Sequence, residues 1–308
     1  MSSPFGTLSL VVNPHAGGPG NRRRLDRLRA ALDIQGLEHV VLPTAGPGDA
    51  SRLAREALEG GSRFVVAVGG DGTVHEVANG MLGDDGRPLS PGAVLGVVAA
   101  GSGCDLIRTF GLPGRPVEAA AHLSGDTVRP LDAARMTFAG PGGTEARSFV
   151  NIAEAGLGAA TAARAARLPN ALGQSRYLVA FWAVLPGYKP SVVRVEVDGS
   201  VAYEGRGVNV IVANCRYFGG GMHISPRSDP ADGRLEVLVL KGRKTDSFTM
   251  LPKVYRGRHL PHPDVVELGG RRVVVEADAP MPVEADGEIL GTTPLTVEAV
   301  PAALTLKV

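Results

Sequence analysis

Arg63-Phe-Val-Val-Ala-Val-Gly69-Gly70-Asp71-Gly72-Thr73-Val-His-Glu-Val-Ala-Asn79 is the stretch on which the fold turns. Phe64 to Val68 is a short, β-branched apolar run and reads as a buried strand. The glycine-rich Gly69 to Thr73 follows, and then Val74, Val77 and Ala78 recur at helical spacing. Strand, glycine turn, helix exposes backbone N–H groups at the positive end of a helix, where phosphate can sit. Glycine lets a ligand approach the backbone closely, and Asp71 adds a carboxylate able to act through a metal. A tight connection without a ligand has the same outline. Three glycines around an acidic residue favour the phosphate reading.

Outward from this turn the alternation repeats. Leu8 to Val12 reads as a strand, Asn13-Pro14-His15-Ala16-Gly17-Gly18 as a turn, and Arg22 to Leu32 as a helix with Leu25, Leu28 and Leu32 on one face. His39 to Leu42 is a second strand and Thr44 to Asp49 a polar loop. Ala50 to Glu59 is a helix, with Asp49 its N-cap and Gly60-Gly61 its stop. Val94 to Ala100 is a fourth strand, followed by Gly101-Ser102-Gly103-Cys104-Asp105 and a helix from about Leu106. Strands alternating with helices through short turns argue a parallel α/β sheet. Ligands of such sheets bind outside the carboxyl ends of the strands. The unusual residues gather there.

After about residue 130 the texture changes. Residues 131–138, 147–153, 192–197, 201–204, 208–214, 234–240, 271–277, 281–285 and 295–300 read as strands, many of them ended by Asp-Gly or Gly-Gly. Helical pattern persists only near 155–187 and 245–257. The expectation is an α/β domain over 1–130 and a β-sandwich over 131–294.

Composition limits the alternatives. The chain has 308 residues, 44% hydrophobic and 20% charged, which describes an ordinary soluble protein of about two domains. A net charge of +1 gives no global pull toward nucleic acid. Arg22-Arg23-Arg24, Lys241 to Lys244 and Arg256 to His259 read as solvated surface. The two cysteines, Cys104 and Cys215, form neither a disulfide framework nor a CxxC pair, so a reducing cytoplasm is expected. No apolar run reaches the ~18–20 residues that span a bilayer, and any membrane contact is expected to be peripheral. The apolar run near the start reads as the first strand, not a leader.

Familiar signatures are absent: no GxxxxGK[ST], no strand followed by GxGxxG, no HExxH and no GxSxG. A different set is present. Asn13-Pro14, Gly69-Gly70-Asp71-Gly72-Thr73 and Gly101-Ser102-Gly103-Cys104-Asp105, continued by Pro226 to Gly233 and Asp286-Gly287-Glu288, resemble the motifs of the diacylglycerol kinase/sphingosine kinase-type lipid kinases. Gly-Gly-Asp-Gly-Thr alone is shared with NAD kinases; the ordered set is more specific. The resemblance implies a Rossmann-like α/β nucleotide domain, a C-terminal β-sandwich, a return of residues 295–308 to the first domain, and the NAD kinase/diacylglycerol kinase-like fold. It implies ATP in the cleft between these domains, meeting Asn13, Thr44, Gly69, Gly70, Asp71, Gly72, Thr73, Glu76 and Ser102. Cys104 departs from the pattern, which has Asn there, and reads as a small buried filler.

Asp229-Pro230-Ala231-Asp232-Gly233-Arg234 sets two carboxylates three residues apart on a loop. Oxygen-only ligands suit Mg²⁺ or Ca²⁺, and an Asx turn before the next strand fits the same residues equally well. The resemblance implies a Mg²⁺ site of Asp229, Asp232 and the Arg234 carbonyl. Val283-Glu284-Ala285-Asp286-Gly287 closely repeats Val195-Glu196-Val197-Asp198-Gly199, and both read locally as hairpin turns. Glu288, which makes the second turn Asp-Gly-Glu, and the placement near the C-terminus separate them: the resemblance implies Asp286 there as the acceptor of the substrate hydroxyl proton and Glu288 as a supporting carboxylate.

Residues 170–190 hold the single Trp and two of the five Tyr. They read as a helix packed on the sandwich or as a lipid-facing one. The expected activity is therefore ATP-dependent phosphorylation of a lipid alcohol, diacylglycerol first, at the inner membrane face, with no nucleic-acid partner and a homodimer left open. NAD kinase activity, or nucleotide or lipid binding without turnover, are the alternatives.

Overall fold

The computed structural model describes residues 3–17, 20–100, 104–169, 172, 175–243 and 246–308. Two compact units emerge, Met1–Ala133 with Val300–Val308, and Ala134–Ala299.

In the first unit β1 (Leu8–Val12), β3 (Phe64–Gly69) and β4 (Val94–Ala99) are buried along their whole length. Parallel strands covered by helices on both faces read as such continuous apolar runs. β2 (His39–Pro43) pairs with β1, β1 with β3 and β3 with β4, all in parallel. The last strand, β15 (Glu288–Lys307), ends here, parallel to β4 through Thr305 and Leu306. Its segment is tied in by the Ala302 N–H on Asp132 Oδ1 (2.7 Å) and by buried Lys307, whose Nζ donates to the Thr127 carbonyl (3.0 Å).

Leu28 and Leu32 of α1 (Asn21–Ile34) and Ala119, Ala120 and Leu123 of α5 (Pro116–Ser124) join Leu8, Leu10, Phe64, Val66 and Val94 in one core. Burying these side chains contributes of order 1.5–3 kcal/mol for each large one. α2 (Asp49–Glu59) buries Ala50, Ala54 and Leu58, one face at four-residue spacing, and packs on α3 (Asp71–Met81). Gly80 permits the crossing, because a Cβ there would run into the Ser51 carbonyl and approach Ala54 Cβ to 2.9 Å.

The second unit is a β-sandwich. One sheet has the order β12 (Val265–Gly270), β11 (Leu235–Leu240), β10 (Asn209–Ala213), β7 (Ile152–Gly156), β14 (Pro282–Ala285), β15, with antiparallel neighbours. The other runs β9 (Ser200–Gly207), β8 (Ser191–Val197), β13 (Arg272–Ala277), β15, with β5 (Val128–Gly140) and β6 (Gly143–Phe149) beyond. β15 serves both sheets, pairing β14 over residues 288–292 and β13 over 295–298. Alternate residues point inward: Val193 and Val195, Val210 and Val212, Val237 and Val239, Val273 and Val275, Leu295 and Val297 form a single core.

Several element limits differ from the sequence reading. The strand expected over 147–153 is two, β6 and β7. They break at Val150–Asn151, where the backbone amides turn to the Asp286 carboxylate instead of a neighbouring strand. The helical stretch near 155–187 contains α6 (Leu157–Ala165) and α7 (Ser175–Val184), and that near 245–257 contains α8 (Ser247–Val254). α5 and β12 are not isolated by sequence pattern.

Candidate functional site

In the first unit, Asn13 follows β1 and knits four elements together. Its N–H donates to the Val68 carbonyl of β3 at 3.0 Å, its Nδ2 donates to Thr73 Oγ1 at 3.4 Å, and its Oδ1 accepts the His15 N–H at 2.9 Å. Asn21 at the start of α1 donates to its carbonyl at 2.8 Å. A side-chain amide can donate and accept at once, through separate atoms. Thr44 lies beside this turn, its N–H on the Val12 carbonyl at 2.9 Å.

The glycines of the central turn have different jobs. A Cβ on Gly69 would collide with the Thr73 side chain, so glycine there seats Thr73 over the end of β3. Gly70 is the N-cap of α3 and gives its first-turn N–H groups no side-chain cap. At Gly72 none of the described residues outside its own helix turn lies within 4 Å of an added Cβ. The fold does not require glycine at that position. Open space beside a positive helix end is a shape that phosphate fills.

The two acidic residues of this region are engaged structurally. Asp71 Oδ1 accepts the Asp105 N–H at 2.6 Å, tying the glycine turn to the start of α4 (Asp105–Phe110). Glu76 Oε2 accepts the Ala50 N–H at 3.0 Å and the Glu76 carbonyl accepts Ser51 Oγ–H at 2.6 Å, so Glu76 holds α2 against α3. Cys104 is buried, and burial first and the Asp71 charge second push its thiol far up, leaving no thiolate for chemistry. Ser102, with Gly101 and Gly103, lies outside the described residues.

In the second unit, Asp286 and Gly287 form the β14–β15 turn with φ of 50° and 88°. Asp286 Oδ2 accepts the Val150 N–H, and Oδ1 accepts those of Asn151 and Ile152, each at 3.0 Å. Its own N–H donates to the Ile152 carbonyl at 2.9 Å. Glu288 faces Arg147 at 2.8 Å, both partly exposed.

Behind this turn lie two carboxyl groups that sequence reasoning did not single out. Glu154 of β7 and Glu284 of β14 stand directly opposite each other, each 3% exposed, and hydrogen-bond to one another. Asn209 Nδ2 donates to Glu154 Oε2 at 2.7 Å, and the Gly287 N–H donates to Glu284 Oε2 at 2.9 Å. Burial pushes Glu154 up to about 7; burial, then the Glu154 and Asp286 charges, push Glu284 well above the carboxylate range. The available signal was a lone Glu in each of two otherwise apolar strands, Ile-Ala-Glu154-Ala-Gly and Pro-Val-Glu284-Ala.

Asp229 and Asp232 precede β11 on an exposed loop, where Asp229 Oδ1 accepts the Ala231 N–H (3.2 Å) and Asp232 Oδ1 the Arg234 N–H (2.9 Å). Asx turns are therefore present. They engage one oxygen of each carboxylate, and the Asp232 charge, after burial, raises neighbouring Glu236. Among the described residues no group of three or more His, Cys, Asp or Glu gathers as a metal cage. Two carboxylates and a carbonyl still suit a hydrated Mg²⁺, which keeps several of its waters.

Residues 7–136 match the family model of the diacylglycerol kinase catalytic domain, and residues 151–308 match that of the YegS C-terminal NAD kinase beta sandwich-like domain. This chain belongs to the diacylglycerol kinase-type lipid kinase family. Curated members include a diacylglycerol kinase of Bacillus subtilis (strain 168), 28% identical over 92% of this chain and 90% of the relative. One of Mycobacterium tuberculosis (strain ATCC 25618 / H37Rv) is 29% identical over 97% and 94%. A solved diacylglycerol kinase from Bacillus anthracis str. Sterne superposes with a TM-score of 0.75 at 25% identity, over 99% of this chain and 97% of that one. An NAD kinase from Archaeoglobus fulgidus in complex with ATP shares the fold at 17% identity and a TM-score of 0.52, over 98% and 94%.

For a lipid kinase of this family, α7 is the notable surface. Ala180 is its one buried residue; Phe181, Trp182 and Val184 lean on Leu157, Leu185 and Val208, while Leu178 and Val179 remain 48% and 46% exposed. The face of Phe181, Trp182 and Val184 matches the packed reading of this segment. No helix among the described residues is long and apolar enough to cross a membrane.

Proposed function

We propose that this chain transfers the γ-phosphoryl group of ATP to the hydroxyl of a lipid alcohol, diacylglycerol being the first substrate to test. Family membership supports a lipid kinase in general. The observation that carries the finer reading is the Gly69–Thr73 turn, with glycine at the N-cap of α3 and, among the described residues, open space at Gly72.

In this reading the backbone of Gly69, Gly70 and Gly72 and the side chains of Asn13, Thr44, Thr73 and Ser102 face the nucleotide. Asp71 and Glu76 hold that frame through Asp105 and Ala50. Asp229, Asp232 and the Arg234 carbonyl would hold Mg²⁺, which offsets phosphate charge when bound. The lipid oxygen bonds to the γ-phosphorus as the bond from that phosphorus to the β,γ-bridging oxygen breaks and ADP leaves. Asp286 takes the hydroxyl proton, with Glu288 in support. Positioning and charge stabilisation supply most of the rate. Peripheral membrane contact goes with such a substrate, and exposed Leu178 and Val179 support it at α7.

The test is transfer from radiolabelled ATP to diacylglycerol in mixed micelles, to total lipid extract, and to NAD in parallel. Label in a lipid supports the reading. Label in NAD alone, or in no product, overturns it.

A further inference from the structure

Two buried glutamates facing each other across a strand pair are costly unless something compensates them. Among the described residues, no Lys, Arg or His forms an ion pair with Glu154 or Glu284. A hydrogen bond between two carboxyl groups requires a proton on one of them. The titratable groups facing the pair are Tyr188, on which the Glu154 charge acts, and Asp286, whose charge acts on Glu284. Glu284 is thus the member beside a second carboxylate, and Glu154 the member already served by the Asn209 amide.

The surroundings fix the pair from all sides. Gly158, in the first turn of α6, has no room for a Cβ because the Glu154 carboxyl lies against it. Asn209 bridges the Gly158 N–H (3.1 Å) and Glu154. Glu284 in turn accepts the Gly287 N–H, the residue after Asp286. One hydrogen-bonded line therefore runs from α6 through Asn209, Glu154 and Glu284 to the turn that presents Asp286.

We propose that Glu154 and Glu284 are positioning residues for phosphoryl transfer, protonated Glu284 donating to ionised Glu154 while its carboxyl holds the Gly287 N–H and thereby the seat of Asp286. This rests on the kinase reading above. Loss of the shared proton places two buried negative charges side by side, next to Asp286, and drives the hairpin from β7. The pair titrates as a unit, so its effect belongs to neither residue alone.

Glu284→Gln tests this, because its amide donates to Glu154 and accepts from Gly287 but does not titrate. The expected kcat is within about threefold of wild type at neutral pH and stays level at alkaline pH, where the wild-type value falls about tenfold. Glu154→Gln forces the charge onto Glu284 beside Asp286, and about a tenfold or greater loss of kcat is expected with KM for ATP within twofold. Infrared titration is the readout independent of activity: a protonated-carboxyl band present at neutral pH in wild type disappears in Glu284→Gln. A Glu284→Gln pH profile that overlays wild type, or a band unchanged in that variant, overturns the pair while leaving the kinase reading intact. Wild-type protein that labels no lipid overturns the kinase reading and the positioning role together.

Discussion

Val195-Glu196-Val197-Asp198-Gly199 and Val283-Glu284-Ala285-Asp286-Gly287 are two copies of one local sequence, and the chain folds them alike. Both aspartates adopt φ of 50°, and the following glycines adopt 83° and 88°. Both carboxylates accept backbone amides of a neighbouring segment, Asp198 from Arg271 and Arg272 at 2.9 Å and Asp286 from three residues around Asn151. Those two N–H groups hold the Asp198 carboxyl below its usual range. The turns differ in what lies behind them. Glu196 reaches solvent and pairs with Arg194 at 2.8 Å, whereas Glu284 is buried against Glu154. Turn chemistry is thus common to both, and only the second turn is built on a buried, proton-sharing layer.

The largest difference is expected in activity. Asp286→Asn should lower lipid phosphorylation by about 10²–10⁴-fold, the range for removing a general base. Asp198→Asn should leave it within about twofold, since Asn also accepts amide N–H groups and stabilises a left-handed turn residue. Initial rates of the two variants, each checked by circular dichroism, decide the matter. Equal rates would return Asp286 to the status of a turn residue.

Next comes pH. The folded chain binds more protons on the Glu154–Glu284 pair than the unfolded chain does, because burial raises both carboxyls. The stability they contribute is full below pH 4.5, the ordinary value, and falls as pH climbs from there through about 7. Thermal melts across that window should show the decline in wild type and a flatter profile in Glu284→Gln. Glu196→Gln, at a solvent-reached side chain, should keep the wild-type slope.

The contrast also marks what could be read from sequence. β1, β3 and β4 were legible because a sheet covered on both faces demands unbroken apolar runs, and their carboxyl ends stood out through Asn13 and Gly69 to Thr73. β6 was not, because residues 143–147 all face solvent, and β12 was not, because Glu267 interrupts its apolar run. Inside the turns, local pattern made Asp198 and Asp286 equals, and Glu288 together with the resemblance set them apart. The Glu154–Glu284 pair depends on the register of β7 against β14, which joins residues 130 positions apart. The roles of Asp71 and Glu76 as ties to Asp105 and Ala50 depend equally on packing between elements.

The glycines that complete the turns should behave identically, which tests the equivalence from the other side. Among the described residues nothing beyond the chain neighbours lies within 4 Å of a Cβ at Gly199 or Gly287, so alanine there costs only the left-handed backbone. Gly199→Ala and Gly287→Ala should each cost roughly 1–2 kcal/mol in chemical denaturation. A much larger cost at Gly287 would mean that its N–H bond to Glu284 is lost as well.

The smallest effect is expected at the residue that makes the second turn Asp-Gly-Glu. Glu288 and Arg147 meet at 2.8 Å, but their side chains are 39% and 43% exposed. Water screens such a pair, and holding two long side chains in one geometry costs entropy, so Glu288→Gln should change stability by less than ~1 kcal/mol. In the other turn Ser200 stands at this position, and no carboxylate follows Asp198-Gly199. If Glu288 only supports Asp286 electrostatically, Glu288→Gln should lower kcat by less than about tenfold, well short of Asp286→Asn. Steady-state kinetics at fixed lipid surface concentration measures this. A loss equal to that of Asp286→Asn would assign the chemistry to the carboxylates of Asp286 and Glu288 jointly, and the difference between the two turns would then begin in their sequence, at position 288, as well as in the buried layer behind them.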